Sequence, residues 1–199
     1  MDKDNNTPLH LAASKGHTST VELLLSKGAL IEPMNHYNNT PLHNAAWNGN
    51  TSTVELLLSK GASIEVTDKD NDTPLHNAAW NGNTSTVELL LSKGASIEAT
   101  NRFRYTPLHL AALYGHTSTV ELLLSKGASI EAVDEYNKTP LHCAARYGHT
   151  STVELLLSKG ASIEATNKDN DTPLQLARQR PYPNTEVVKL LERAKVTDS

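Results

Sequence analysis

Apolar residues in this chain fall into two short clusters that alternate along its length, each spaced for a helix. Leu42, Ala45 and Ala46 stand at i, i+3 and i+4, the spacing that lines one face of an α-helix. Thr40 before Pro41 suits an N-cap followed by proline at the first helical position, and Gly49 offers the left-handed conformation that ends the helix. Val54, Leu57 and Leu58 repeat the same spacing a little further on. There Ser52 and Glu55 are spaced as a capping box, and Lys60 precedes a terminating Gly61. Both predicted helices are too short to be stable alone, so their apolar faces must be buried by neighbours. The polar stretch that follows, ASIEVTDKDND over residues 62–72, is rich in Asp and Asn at turn spacing and is expected to project as a hairpin-like loop.

The pattern recurs at a fixed period. TPLH begins at Thr7, Thr40, Thr73, Thr106 and Thr139, and TPLQ at Thr172, always 33 residues apart. TSTVELLLSKGA recurs unchanged from Thr18, Thr51, Thr84, Thr117 and Thr150. The repeats run over 1–34, 35–67, 68–100, 101–133 and 134–166, with 167–199 as a C-terminal cap, and no linker interrupts this single domain.

TPLHLAA, a Gly-His pair, VELLL and a Gly-Ala dipeptide at this period resemble the ankyrin repeat, and the resemblance covers the whole chain. It implies an all-α solenoid of six 33-residue helix-turn-helix units with projecting hairpin loops. It further implies that the loop tips and first helices form a concave surface that binds other proteins. Departures are local. Asn50 and Asn83 stand where the pair has His, and Asn38, Asn71, Arg104, Asn137 and Asn170 where the loop usually has Gly. The last repeat places Arg178, Lys189, Glu192 and Arg193 where an array would otherwise end on an apolar face, as a polar cap does.

Units this alike reveal their own departures. Counting from Asn35, Asp68, Asn101 and Asp134, variation concentrates at positions two to five, the loop tip, and at ten, thirteen and fourteen, one face of the first helix. The second repeat carries His36, Tyr37 and Asn39 on its tip and Asn44, Trp47 and Asn48 on its helix. In the third only the helix differs, with Asn77, Trp80 and Asn81; its tip KDND recurs in the last repeat and reads as default sequence. The fourth has Arg102, Phe103, Arg104 and Tyr105, then Leu110, Leu113 and Tyr114. The fifth has Glu135, Tyr136 and Lys138, then Cys143, Arg146 and Tyr147. Of nine aromatic residues only Tyr182, in the cap, lies outside these positions. The repeating core is aliphatic, so the aromatics are free to serve recognition, for which they bring large rigid area at small entropic cost. Tolerated surface variation and partial packing between repeats remain alternative roles for each of them.

Composition narrows the chemistry. A net charge of -4 lacks the basic excess of nucleic-acid or anionic-membrane binders. No apolar run is long enough for a membrane span, and MDKDNNTPLH has no apolar segment of a secretory signal, so a soluble cytoplasmic chain is expected. Nine histidines invite a metal reading, but five hold the same place in successive units, and helices packed about 8–10 Å apart cannot bring them onto one ion. A structural histidine near each helix start is the expectation. Cys143, the one cysteine, has no activating context, and no phosphate loop or hydrolase motif occurs. No cofactor, metal or catalytic site is expected.

The expected function is non-enzymatic: a monomeric scaffold binding a protein or peptide on its concave face through repeats two to five. Near-identity of the frame suggests a consensus-like, artificially designed array similar to designed ankyrin binders. A natural intracellular adaptor or effector, and a ligand-free consensus chain kept for stability, are the alternatives.

Overall fold

The computed structural model describes residues 2–179 and 184–197, so Tyr182 lies outside the described residues. Among those described are twelve α-helices and no strand. The chain divides into two compact halves, Met1–Arg102 and Phe103–Ser199. In the first half the helices pair as α1 (Pro8–Ser14) with α2 (Thr18–Ser26), α3 (Pro41–Trp47) with α4 (Thr51–Ser59), and α5 (Pro74–Trp80) with α6 (Thr84–Ser92). The second holds α7 (Pro107–Leu113) and α8 (Thr117–Ser125), α9 (Pro140–Tyr147) and α10 (Thr150–Ser158), and α11 (Pro173–Arg178) and α12 (Thr185–Thr197). Within each half the first helices of successive repeats pack side by side, α1 on α3 on α5 and α7 on α9 on α11, and the second helices do likewise.

Local sequence sets each first helix. Thr73 is the N-cap of α5: its hydroxyl accepts the His76 backbone N–H at 3.4 Å, and His76 Nδ1 accepts the Thr73 backbone N–H at 3.1 Å. A backbone N–H can only donate, so Nδ1 is unprotonated and the ring proton must sit on Nε2. In the equivalent histidines, Nε2 meets a carbonyl 29 residues onward: His10 to Asn39, His43 to Asp72, His109 to Lys138 and His142 to Asp171, at 2.9–3.1 Å. Each of these imidazoles therefore caps its own helix and ties it to the loop of the next repeat.

The capping box thus lies at Thr–His and not at Ser52–Glu55. Helix α4 starts at Thr51, which leaves Ser52 inside its first turn, and no side chain caps it. Its N-cap residue Asn50 instead donates from Nδ2 to the carbonyls of Ala13 and Ser14, both at 2.9 Å, covering orphan acceptors at the end of α1. Asn83 does the same for Ala46 and Trp47, while His149 reaches the single carbonyl of Leu113 at 2.8 Å. Gly49 is left-handed, and a Cβ there would stand 2.7 Å from Asn83 Oδ1, so the close approach demands glycine.

Beneath these polar ties Leu42, Ala45, Ala46, Val54 and Leu57 are fully buried, and the alanines let neighbouring helices come close. Removing each leucine from water contributes about 1.5–3 kcal/mol. Thr18 with Thr53, and Thr51 with Thr86, share hydroxyl hydrogen bonds of 2.8 Å between successive second helices. At the far end α12 buries Val187 and Leu191 and keeps the Arg178–Glu192 ion pair exposed, as a polar cap should.

The tips share one turn. Asp68 Oδ1 accepts the backbone N–H of Asp70 at 2.8 Å and of Asp72 at 3.0 Å; Asn35, Asp134 and Asn167 repeat the arrangement. Single backbone bonds stitch tip to tip: Lys69 N to Tyr37 O and Arg102 N to Asp70 O in the first half, Glu135 N to Phe103 O in the second. The third tip residue is left-handed throughout, at φ between 58° and 63°, which Asn tolerates better than Arg104 does.

Two predictions follow from this frame. Exchanging Arg104 for Asn relieves that strain by about 1 kcal/mol, and a thermal melt is expected to show a midpoint raised by about 2–4 °C. Burial lowers the His43 imidazole to about 4 and lowers His10, His109 and His142 as well. Unfolded imidazoles take up protons near pH 6.5, so between about 6.5 and 4 the unfolded chain binds more protons and stability falls as pH falls. Burial raises Asp72 to about 6 and also raises Asp68, which acts in the opposite direction, but four histidines outweigh two carboxylates. Denaturant midpoints should therefore drop across this window. The drop should shrink in His43→Gln, because Gln175 already caps α11 by accepting Thr172 N–H at 2.7 Å without titrating.

Candidate recognition surface

The residues singled out by variation do not all reach solvent. In the first half Tyr37 is 57% exposed and Trp47 43%, His36, Asn48 and Arg102 are exposed, and Asn39, Asn44, Trp80 and Asn81 are half-buried. In the second half Phe103, Arg104, Tyr114, Tyr136, Arg146 and Tyr147 are exposed, and Tyr105, Leu113, Glu135 and Lys138 are half-buried. Three are corrections: Asn77 is only 5% exposed, Leu110 0% and Cys143 3%. Position ten turns toward a flank that packing covers. Leu11, on the first helix, is 48% exposed, whereas Asn77, with α3 packed before α5, is closed off. Leu110 and Cys143 serve packing and leave the candidate surface, whereas Asn77 keeps only the small exposure by which it lines the Trp47–Trp80 hollow. Burial pushes the Cys143 thiol up to about 12, so it stays a protonated thiol without nucleophilic character.

The second half presents its aromatics in polar company. Phe103 and Tyr105 lie 6.2 Å apart, and Tyr105 lies 5.7 Å from the buried His109. Lys138 Nζ sits 4.9 Å above the Tyr136 ring, a cation–π contact. Tyr147 stacks on His149 at 6.5 Å, and Tyr114 on His116 at 6.4 Å, so each tyrosine is braced by the residue that follows its glycine. Braced rings lose little entropy on contact with a partner.

In the first half the two tryptophans come together. Their rings are 5.8 Å apart and tilted by 38°, a favourable offset geometry. They wall a hollow of about 510 Å³, shared with Ser14, Asn39, Asn44, Asn48 and Asn77 and, on the loop side, with Asp68, Asp70 and Asp72. Asn48 Nδ2 bridges to Ser14 Oγ at 3.2 Å and to the Asn44 carbonyl at 2.8 Å. Asp70 pairs with Arg102 at 2.7 Å, and Asp72 accepts from Asn101 at 2.9 Å. Asn39 Oδ1 is buried with no hydrogen-bond partner. Asp70 and Asp72 belong to the KDND tip, which Asp68 precedes, and escaped the variation argument because a second copy of that tip exists. The signal that could have found them is their neighbour in space: only here does KDND stand beside tryptophans.

Among the described residues no group of three or more His, Cys, Asp or Glu side chains could hold a metal ion, and no helix is long and apolar enough to cross a membrane. His10, His43, His109 and His142 spend both ring nitrogens on the backbone.

Comparison with known proteins agrees with this architecture. The family described as ankyrin repeats (3 copies) matches residues 1–68, 75–167 and 131–198, and ankyrin repeats (many copies) matches 50–91. No curated protein sequence matches the chain significantly. Among solved structures, the crystal structure of the human ASB11 ankyrin repeat domain superposes with a TM-score of 0.85 at 31% identity, over 95% of this chain and 84% of that one. With its period, its Thr-Pro-Leu-His caps and its paired helices matched in this way, the chain belongs to the ankyrin-repeat family and has the ankyrin-repeat solenoid fold.

Proposed function

We propose that the chain is a non-enzymatic scaffold that binds a protein or peptide through the loop tips and first helices of its second to fifth repeats. One observation carries this reading: the aliphatic frame is buried while Tyr37, Trp47, Phe103, Tyr114, Tyr136 and Tyr147 are exposed at those positions. Exposed aromatics held on a rigid frame are what interface hot spots are made of. The net charge of -4 and the Asp-containing tips favour a protein partner over nucleic acid. A monomer working in the cytoplasm is part of the same proposal, as is an engineered origin. Five unchanged copies of TSTVELLLSKGA beside variation confined to one face fit a consensus frame onto which recognition residues were placed.

The test resets the face to the residues of the first repeat. In Tyr37→Asp, Trp47→Ser, Tyr136→Asp and Tyr147→Lys combined, every new residue already occupies the same place in repeat one, as Asp4, Ser14 or Lys15. A partner identified on a protein array should bind this variant at least about tenfold more weakly, with the melting midpoint nearly unchanged. Undiminished binding would move the interface elsewhere, and an array without a saturable partner would remove the proposal.

A further inference from the structure

The Trp47–Trp80 hollow has a chemistry more specific than a general protein-binding face. Its walls combine two indole rings, the carboxylates of Asp68 and Asp72, and amide groups. Arg102 pairs with Asp70 at 2.7 Å and also attracts Asp68 and Asp72, so three carboxylates share this guanidinium. Asn39 adds an independent sign. It lines the hollow, and its Oδ1 is buried with no hydrogen-bond partner among the described residues. Tyr105 and Lys138 occupy that place in repeats four and five, so the frame itself has no need of an amide there. A polar group kept at a closed-off position without a partner points to a donor that arrives from outside.

The missing complement is therefore a cation rich in N–H donors. An ammonium or guanidinium head satisfies ring faces, carboxylates and amide oxygen together, and a neutral apolar side chain would leave the last two unmet. A volume of about 510 Å³ also admits the backbone that carries such a side chain.

We propose that this hollow receives one lysine or arginine side chain of the protein partner, its charged head between the Trp47 ring and the carboxylates of Asp68 and Asp72. The proposal rests on the protein-binding reading and names the chemistry of one of its contacts. Burial has already raised both carboxylates, so an arriving cation restores the interaction that desolvation removed.

The probes are acetyl-Gly-Lys-Gly-amide and acetyl-Gly-Arg-Gly-amide, with acetyl-Gly-norleucine-Gly-amide as the neutral control, followed through the tryptophan indole N–H signals. The basic peptides are expected to shift these signals saturably, and the norleucine peptide to bind at least about tenfold more weakly. Asp68→Asn with Asp72→Asn copies Asn35 and Asn39 of the preceding repeat, and Trp47→Ser copies Ser14, so the frame tolerates all three. Either change should weaken the basic peptides by about tenfold. Equal binding of norleucine would make the hollow an apolar slot and overturn the proposal. So would the absence of a saturable shift, or indifference to the Asp variants. A random-peptide library selected on the intact chain separates the two levels. Binders lost on the reset face but unaffected when their own Lys and Arg become Gln would leave the protein-binding reading standing and this inference refuted. A library that yields no binder refutes the reading itself.

Discussion

The order of successive repeats depends on a buried imidazole of fixed tautomer, seen at His10, His43, His109 and His142. The threonine N–H forces the proton off Nδ1, and the carbonyl 29 residues onward takes the proton on Nε2. A helix of seven residues is far below the length at which helices hold in water, so its N-terminal donors need a partner and its face needs cover. The histidine supplies the first directly and helps the second by holding the next repeat in place. Local and long-range order are thereby made one event, and neither half of the bond can be kept without the other. This is why His10, His43, His109 and His142 stand in one register while residues a few positions away change freely.

The polar ties around it divide labour in a way that frees the surface. Asn50, Asn83 and His149 close the ends of preceding helices, the Asp and Asn side chains at each tip's start close the turns, and single backbone bonds align tip with tip. None of these bonds uses the side chain of positions two, three, thirteen or fourteen. Tyr, Trp, Phe or Arg can stand there at little cost to the fold. Arg104 marks the limit of that freedom: it occupies a left-handed backbone position suited to Asn or Gly and carries strain that the Asn-bearing tips avoid.

Much of this was legible in the chain. The period, the Thr-Pro helix starts, the glycine ends and the apolar triplets are short-range signals, and repetition multiplied each of them. Two readings failed for a shared reason. Ser52–Glu55 has the spacing of a capping box, but α4 starts two residues earlier, with Asn50 as N-cap reaching across to α1. Asn77, Leu110 and Cys143 share a helix stripe with exposed residues, but burial at that stripe is decided by what is packed beside it. Both depend on partners about 33 residues away, which periodicity reports as present without saying where they touch.

The aspartates of the hollow show the complementary blind spot. Comparing repeats isolates what departs from a default, and Asp70 and Asp72 recur unchanged as Asp169 and Asp171 of the last repeat. Their character comes from combination: a default acidic tip set beside Trp47 and Trp80 becomes a wall of a hollow, whereas the same KDND in the last repeat stands beside no tryptophan. In a repeat protein the unit of function is therefore the juxtaposition of one repeat's tip with its neighbours' helices. A residue identical in two repeats has two roles when its neighbours differ, and frame and message are properties of contacts rather than of positions.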